Sequence, residues 1–168
     1  MNPTRRALLK GALALPFFSL VPFAWLQAEE SPLPAVTRLV IHSDQGPQRL
    51  EVEVARTPAQ RRQGLMERDS LAPRSGMLFR YAEDQPPESA FWMYRTRIPL
   101  DIAYLDEQGR IVAINRMSPC ESESAADCAS YPAGASYRSA LEVNAGFFAE
   151  HAIKVGDCVS WPGLEGMC

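Results

Sequence analysis

Lysine and histidine are almost missing from this 168-residue chain: Lys10, Lys154, His42 and His151 are all there is. The four cysteines form no C-x-x-C pair, so neither a thioredoxin-like redox motif nor a familiar zinc-site spacing is present. No metal site and no cofactor are expected. The phosphate-cradling P-loop, the dinucleotide fingerprint, the G-x-S-x-G nucleophile elbow and H-E-x-x-H are also absent. A long apolar run is lacking too. The best stretch, Gly11 to Leu26, is broken by Pro16, Ser19 and Pro22 and falls short of the roughly 20 residues that span a bilayer.

That stretch follows Thr4-Arg5-Arg6-Ala7-Leu8-Leu9-Lys10 and ends in Leu26-Gln27-Ala28, with Glu29 and Glu30 just beyond. A basic start, an apolar centre and a small residue before an acidic segment make a cleavable export signal over residues 1–28. The arginine pair resembles the twin-arginine type, with Leu8 where Phe is commonest. The expected location is the periplasm or another exported site, reached through the export machinery. If the signal were not cleaved, it would be a membrane anchor. The signal takes Arg5, Arg6 and Lys10 from the 17 basic residues and none of the 20 acids, which leaves 14 against 20, a net charge of −6. A domain this acidic does not suggest nucleic acid as a partner, because phosphate binding needs a basic patch.

Cys120, Cys128, Cys158 and Cys168 all lie in the exported part, and an even number in an oxidising compartment favours disulfides. Three pairings are open. Cys120 with Cys128 closes the shortest loop, and Cys158 with Cys168 would then pin the tail.

After a polar lead-in at 29–36, residues 37–168 read as one β domain. Thr37–Ser43 is β-branched, and Leu50-Glu51-Val52-Glu53-Val54 alternates strictly, one face buried and one solvated. Thr57-Pro58 is a helix start, with two turns over Ala59–Met66 before Gly64 weakens or ends them. Strands are expected at Met77–Tyr81, Ala90–Tyr94, Ile98–Leu105, Arg110–Met117, Leu141–Val143 and Cys158–Trp161. Loops are expected at 82–89 and 118–138, and a helical patch at Ala145–Ala152. Short strands at regular spacing with one or two short helices predict a mainly β fold, a single compact β-sandwich or barrel.

The polar residues that stand out are few. Asp101 lies inside an apolar stretch and Glu142 between Leu141 and Val143; a buried carboxylate needs a partner or a shifted pKa. Arg61 and Arg68 flank the short helix. Either could form a structural ion pair with those acids, or anchor a ligand. Along Ala90–Tyr94, period two sets Phe91 and Met93 on one face and Trp92 and Tyr94 on the other, so one face lines a cleft or both are covered.

Thr57-Pro58, Arg61, Gly64-Leu65-Met66, Arg68, Gly76-Met77-Leu78-Phe79, Phe91-Trp92-Met93, Thr96, Ile98-Pro99-Leu100-Asp101-Ile102, Asp106, Gly109, Leu141-Glu142-Val143 and Val155-Gly156-Asp157 stand in the order and spacing of a known pattern. Over nearly all of residues 38–160 the chain resembles the family catalogued as domain of unknown function 192. The family commonly reads Phe-Trp-Met-Lys-Asn-Thr, and here Tyr94-Arg95 replace Lys-Asn. The resemblance implies a compact, jelly-roll-like or barrel β domain, often exported, and no assigned activity.

The candidate ligand-binding residues are therefore Arg61, Arg68, Trp92, Thr96, Asp101 and Glu142. The leading expectation is a periplasmic module that holds a small ligand or envelope component beside the Trp92 strand. One alternative is a hydrolase with Asp101 and Glu142 as an acid/base pair, which requires the two to converge in one cleft. Another is a structural interaction module of the envelope, which requires a large exposed apolar patch.

Overall fold

The computed structural model describes residues 33–164. The leader, the first half of the lead-in and Cys168 lie outside the described residues. The expected cleaved signal and the Cys168 end of the expected Cys158–Cys168 bridge fall there.

Among the described residues, nine strands and two short α-helices follow in the order β1 (Ala35–Ser43), β2 (Gly46–Ala55), α1 (Pro58–Gln63), β3 (Ser75–Gln85), β4 (Ala90–Trp92), β5 (Leu100–Leu105), β6 (Ile111–Met117), β7 (Ser130–Pro132), β8 (Tyr137–Asn144), α2 (Phe147–Glu150) and β9 (Cys158–Ser160). Seven strands form one curled sheet in the order β6-β5-β8-β3-β2-β1-β9, and β4 pairs with β7 in a separate two-stranded ribbon. Neighbours are antiparallel except β2 and β3, which run parallel and are joined through α1. The outer edge of β9 meets the residues leading into β6: Ile111 N donates to Asp157 O (2.8 Å) and Val159 N to Gly109 O (2.8 Å). The fold is mainly β, as the alternation of the chain indicates.

Both faces of the central strands are buried. One face collects Leu39, Ile41, Val52, Leu78, Ala103, Leu141 and Val143 with Phe147 and Phe148 of α2. The other collects Met77, Phe79, Leu100, Ile102, Tyr104 and Ala140 under Phe91, Met93 and Leu65. Strands covered on both sides read as near-continuous apolar runs, which is why Leu100–Leu105 shows no clean alternation. The ribbon β4–β7 is held over the second face by the Tyr104 hydroxyl, which donates to the Tyr131 carbonyl, and by Asn115 Nδ2 on Pro132 O (2.9 Å).

Local chemistry explains several boundaries. Thr57 Oγ1 accepts from Gln60 N (3.2 Å) while Gln60 Oε1 accepts from Thr57 N (3.1 Å), a reciprocal capping box with Pro58 in the first turn. The helix is shorter than the expected two turns because Gly64, at φ 48° and ψ −134°, takes a conformation only glycine adopts easily. The expected loop at 82–89 is half strand, since β3 continues to Gln85 across an irregularity to pair with Tyr137. The polar stretch 118–138 contains β7 and a 3-10 turn at Ala125–Asp127. Cys120 and Cys128 are disulfide-bonded across this loop, with Cα atoms 5.7 Å apart.

Candidate functional site

A cavity of about 110 Å³ lies between α1, β4 and the second face of the sheet. Its lining includes Arg61, Trp92, Thr96 and Glu142, four of the six residues singled out in the sequence. The structure brings these together although they are spread over 82 positions of chain from 61 to 142.

Glu142 forms the polar floor. Its Cα partners are Met77 on β3 and Ile102 on β5, both on the second face, so its carboxyl points to the ribbon side. It is 5% exposed and has no hydrogen-bond or ion-pair partner among the described residues. Burial alone pushes its pKa from 4.5 up to about 8, so the carboxyl is mostly neutral at pH 7. Gly76 makes this placement accessible: a Cβ there would sit 2.4 Å from the Glu142 carbonyl oxygen, so only glycine lets β3 and β8 pair this closely.

Arg61 braces one wall. Its Nη1 donates to Arg56 O (2.6 Å) and Arg80 O (3.1 Å), and its guanidinium lies 4.7 Å from the Tyr81 ring centre. Burial raises the Tyr81 pKa, with a smaller opposing pull from Arg61. Thr96 closes another side. Its N–H donates to Met93 O (2.9 Å), and the turn is tied down by Glu67 N on Arg95 O (2.7 Å). Trp92 stands at the mouth, 45% exposed, with its ring 5.8 Å from that of Tyr94, while Phe91 and Met93 on the alternate side are buried. The period-two reading of that strand therefore separates a buried side from a more exposed one, and Phe91 and Trp92 both reach the cavity. Tyr94 also bridges to Cys120, which fastens the disulfide loop next to the cavity.

Arg68 and Asp101 sit elsewhere. Arg68 makes a two-pronged contact with Glu53 on β2, at 2.5 and 2.8 Å. The ion pair considered for it with Asp101 or Glu142 is not formed. Asp101 has Val143 as its Cα partner and shares the first face, opposite to Glu142. Its Oδ1 accepts from Arg116 Nε (2.9 Å) and its Oδ2 from Gly146 N (2.8 Å), which joins β5, β6 and the start of α2. The two carboxyls line different cavities. The acid/base pair required for the hydrolase alternative does not exist, because odd and even residues of paired strands point to opposite sides of the sheet.

The sequence did not single out Gly64, Phe79, Tyr81 or Phe91 as cavity residues. Each reads as ordinary core or turn, and only the folded sheet shows that their neighbour is a carboxyl. Among the described residues no group of three or more His, Cys, Asp or Glu is placed to hold a metal ion.

Residues 39–161 match the model of the family DUF192, described as "Uncharacterized ACR", and the chain belongs to this family of domains of unknown function. Two solved structures share the fold. A candidate transcription regulator from Sinorhizobium meliloti 1021 is 33% identical, with a TM-score of 0.68 over 78% of this chain and 97% of that one. A protein of unknown function from Novosphingobium aromaticivorans DSM 12444 is 30% identical, with a TM-score of 0.65 over 79% of this chain and 95% of that one. No curated protein matches significantly.

Proposed function

We propose that the protein is an exported, periplasmic small-ligand-binding module, and that the cavity floored by Glu142 is its binding site. The observation that carries this reading is a carboxyl that opens into the cavity without a hydrogen bond or ion pair to the described residues. A buried polar group without a partner is costly, and native folds keep one mainly where it serves a purpose. Here it opens into a cavity walled by aromatic rings and entered past a half-exposed tryptophan. A cleft in which polar side chains and aromatic rings meet around a perturbed carboxyl fits a ligand site. The leader supports export, and the Cys120–Cys128 bridge suits an oxidising compartment. The regulator label of one structural neighbour is not carried over to this chain, whose exported part has a net charge of −6.

Thermal unfolding of the full chain against metals, envelope sugars, nucleotides, amines and amino acids tests the reading. A ligand at about 100 times its Kd adds about 2.7 kcal/mol, which raises the midpoint of a domain this size by several degrees. A shift lost in Trp92→Ala and kept in Arg68→Ala supports the cavity as the site. A panel without any shift, or a shift that survives Trp92→Ala and Glu142→Gln together, refutes it.

A further inference from the structure

Resting on that reading, we infer that the cavity takes a small organic amine as its ammonium ion, with the charge on the Glu142 carboxyl and the carbon skeleton against the rings of Phe79, Phe91 and Trp92. Three features of the site converge on this class. The carboxyl lacks a donor, and the neighbouring groups do not supply one: Arg61 Nη1 is held by the carbonyls of Arg56 and Arg80, and the Tyr104 hydroxyl is held by Tyr131 O. The missing partner is therefore a donor brought from outside. Four rings, Phe79, Tyr81, Phe91 and Trp92, stand in the walls beside Arg61 and Arg62, and an aromatic face attracts a cation. The size limits the guest. An engineered apolar cavity of about 150 Å³ accepts benzene, so about 110 Å³ holds a group of four or five heavy atoms.

Charge bookkeeping makes the inference testable. Tyr81 on β3 and Tyr104 on β5 interact with Glu142, Tyr137 of its own strand packs in the same cluster, and Arg61 and Arg62 on α1 line the cavity. Burial raises all three phenols, so they stay neutral below pH 9. Glu142 is the group of this set that changes charge between pH 6 and 9. An ammonium ion pairs with the carboxylate, so binding sends the Glu142 proton to solvent while the amine keeps its own. The competent fraction is the ionised one. With a carboxyl at about 8, the apparent affinity rises about 50-fold from pH 6 to pH 8 and levels off above that.

The experiment is calorimetric titration of the full chain with propylammonium, propionamide and propionate at pH 6, 7 and 8, in buffers of different ionisation enthalpy. The expected result is millimolar or tighter binding of propylammonium at pH 8, at least about tenfold over the other two, in keeping with the per-atom ceiling for tiny ligands. Close to one proton should be released per ligand at pH 6, and Glu142→Gln should abolish both the release and the pH dependence. The proton count in the unmutated protein needs no variant to fold. Binding of propionamide or propionate as tight as that of propylammonium, or binding without proton release, overturns the amine class and leaves a ligand site of another class. Failure of all three to bind also overturns it, and the ligand-binding reading then stands or falls on the wider panel.

Discussion

Replacing Glu142 by Gln should change how stability depends on pH, in a direction fixed by the cavity. In the unfolded chain the carboxyl titrates near 4.5, and in the fold burial holds it at about 8. Between those values the native state binds more protons than the unfolded state, so stability falls as pH rises. The slope is about 1.4 kcal/mol per pH unit, and the loss from pH 5 to pH 8 sums to about 4 kcal/mol. Below pH 4.5 both states are protonated, and well above pH 8 both are ionised, so the contribution is flat at either end. Glutamine matches the shape of the neutral acid and cannot ionise. The difference in unfolding free energy, variant minus parent, should thus climb by about 4 kcal/mol across pH 5–8 in favour of the variant. Urea unfolding at half-unit intervals measures it, and the subtraction removes what the two proteins share. A difference that stays constant within about 1 kcal/mol over that range would mean that the carboxyl is solvated or paired, and the account of the cavity floor would be wrong.

Other perturbations separate structural residues from cavity residues. Asp101→Ala should cost about 2–3 kcal/mol, because Gly146 N–H loses its acceptor and Arg116 its partner, and ligand-induced shifts should persist. Equal loss of ligand response and stability would show that the two faces are coupled. Exchanging both Cys120 and Cys128 for Ser should cost about 2–3 kcal/mol by freeing a short loop, measured as a lower unfolding midpoint that reductant no longer changes. Arg5→Lys with Arg6→Lys should block export of the chain, read as precursor retained in the cytoplasm; unimpaired export would refute the twin-arginine route.

Much of the architecture was legible in residue order. The alternation of Leu50–Val54 and the helix start at Thr57-Pro58 act within a few residues, so sequence shows them directly, and the reciprocal bonds of Gln60 come from the structure. What was illegible depends on register between distant strands. Asp101 and Glu142 look alike in sequence, each an acid among apolar neighbours. Their roles part only because Ile102, and not Asp101, lies opposite Glu142. One is a bonded joint and the other an unpartnered floor. Pro86-Pro87 and the polar run after Met117 suggested loops, yet pairing with Tyr137 extends β3 and pairing with β4 creates β7. In both cases a tertiary partner overrode the local signal. Arg68 was legible as a polar anchor but not its partner, since Glu53 is 15 residues away on a strand parallel to the next.

The place of β9 sets the order in which this domain can become itself. The strand lies at the far end of the described chain, yet it pairs with β1 at the near end and, through Gly109 and Asp157, with the residues entering β6. Until residue 160 has left the ribosome, β1 keeps an open edge, and the face holding Leu39, Ile41 and Val159 is incomplete. Assembly therefore waits for the whole chain, as in other sheets closed by non-local pairing. A nascent fragment would expose a bare strand edge in the compartment of synthesis. The time between the emergence of β9 and closure of the sheet is then the period in which folding, aggregation and chaperones compete for the same molecule.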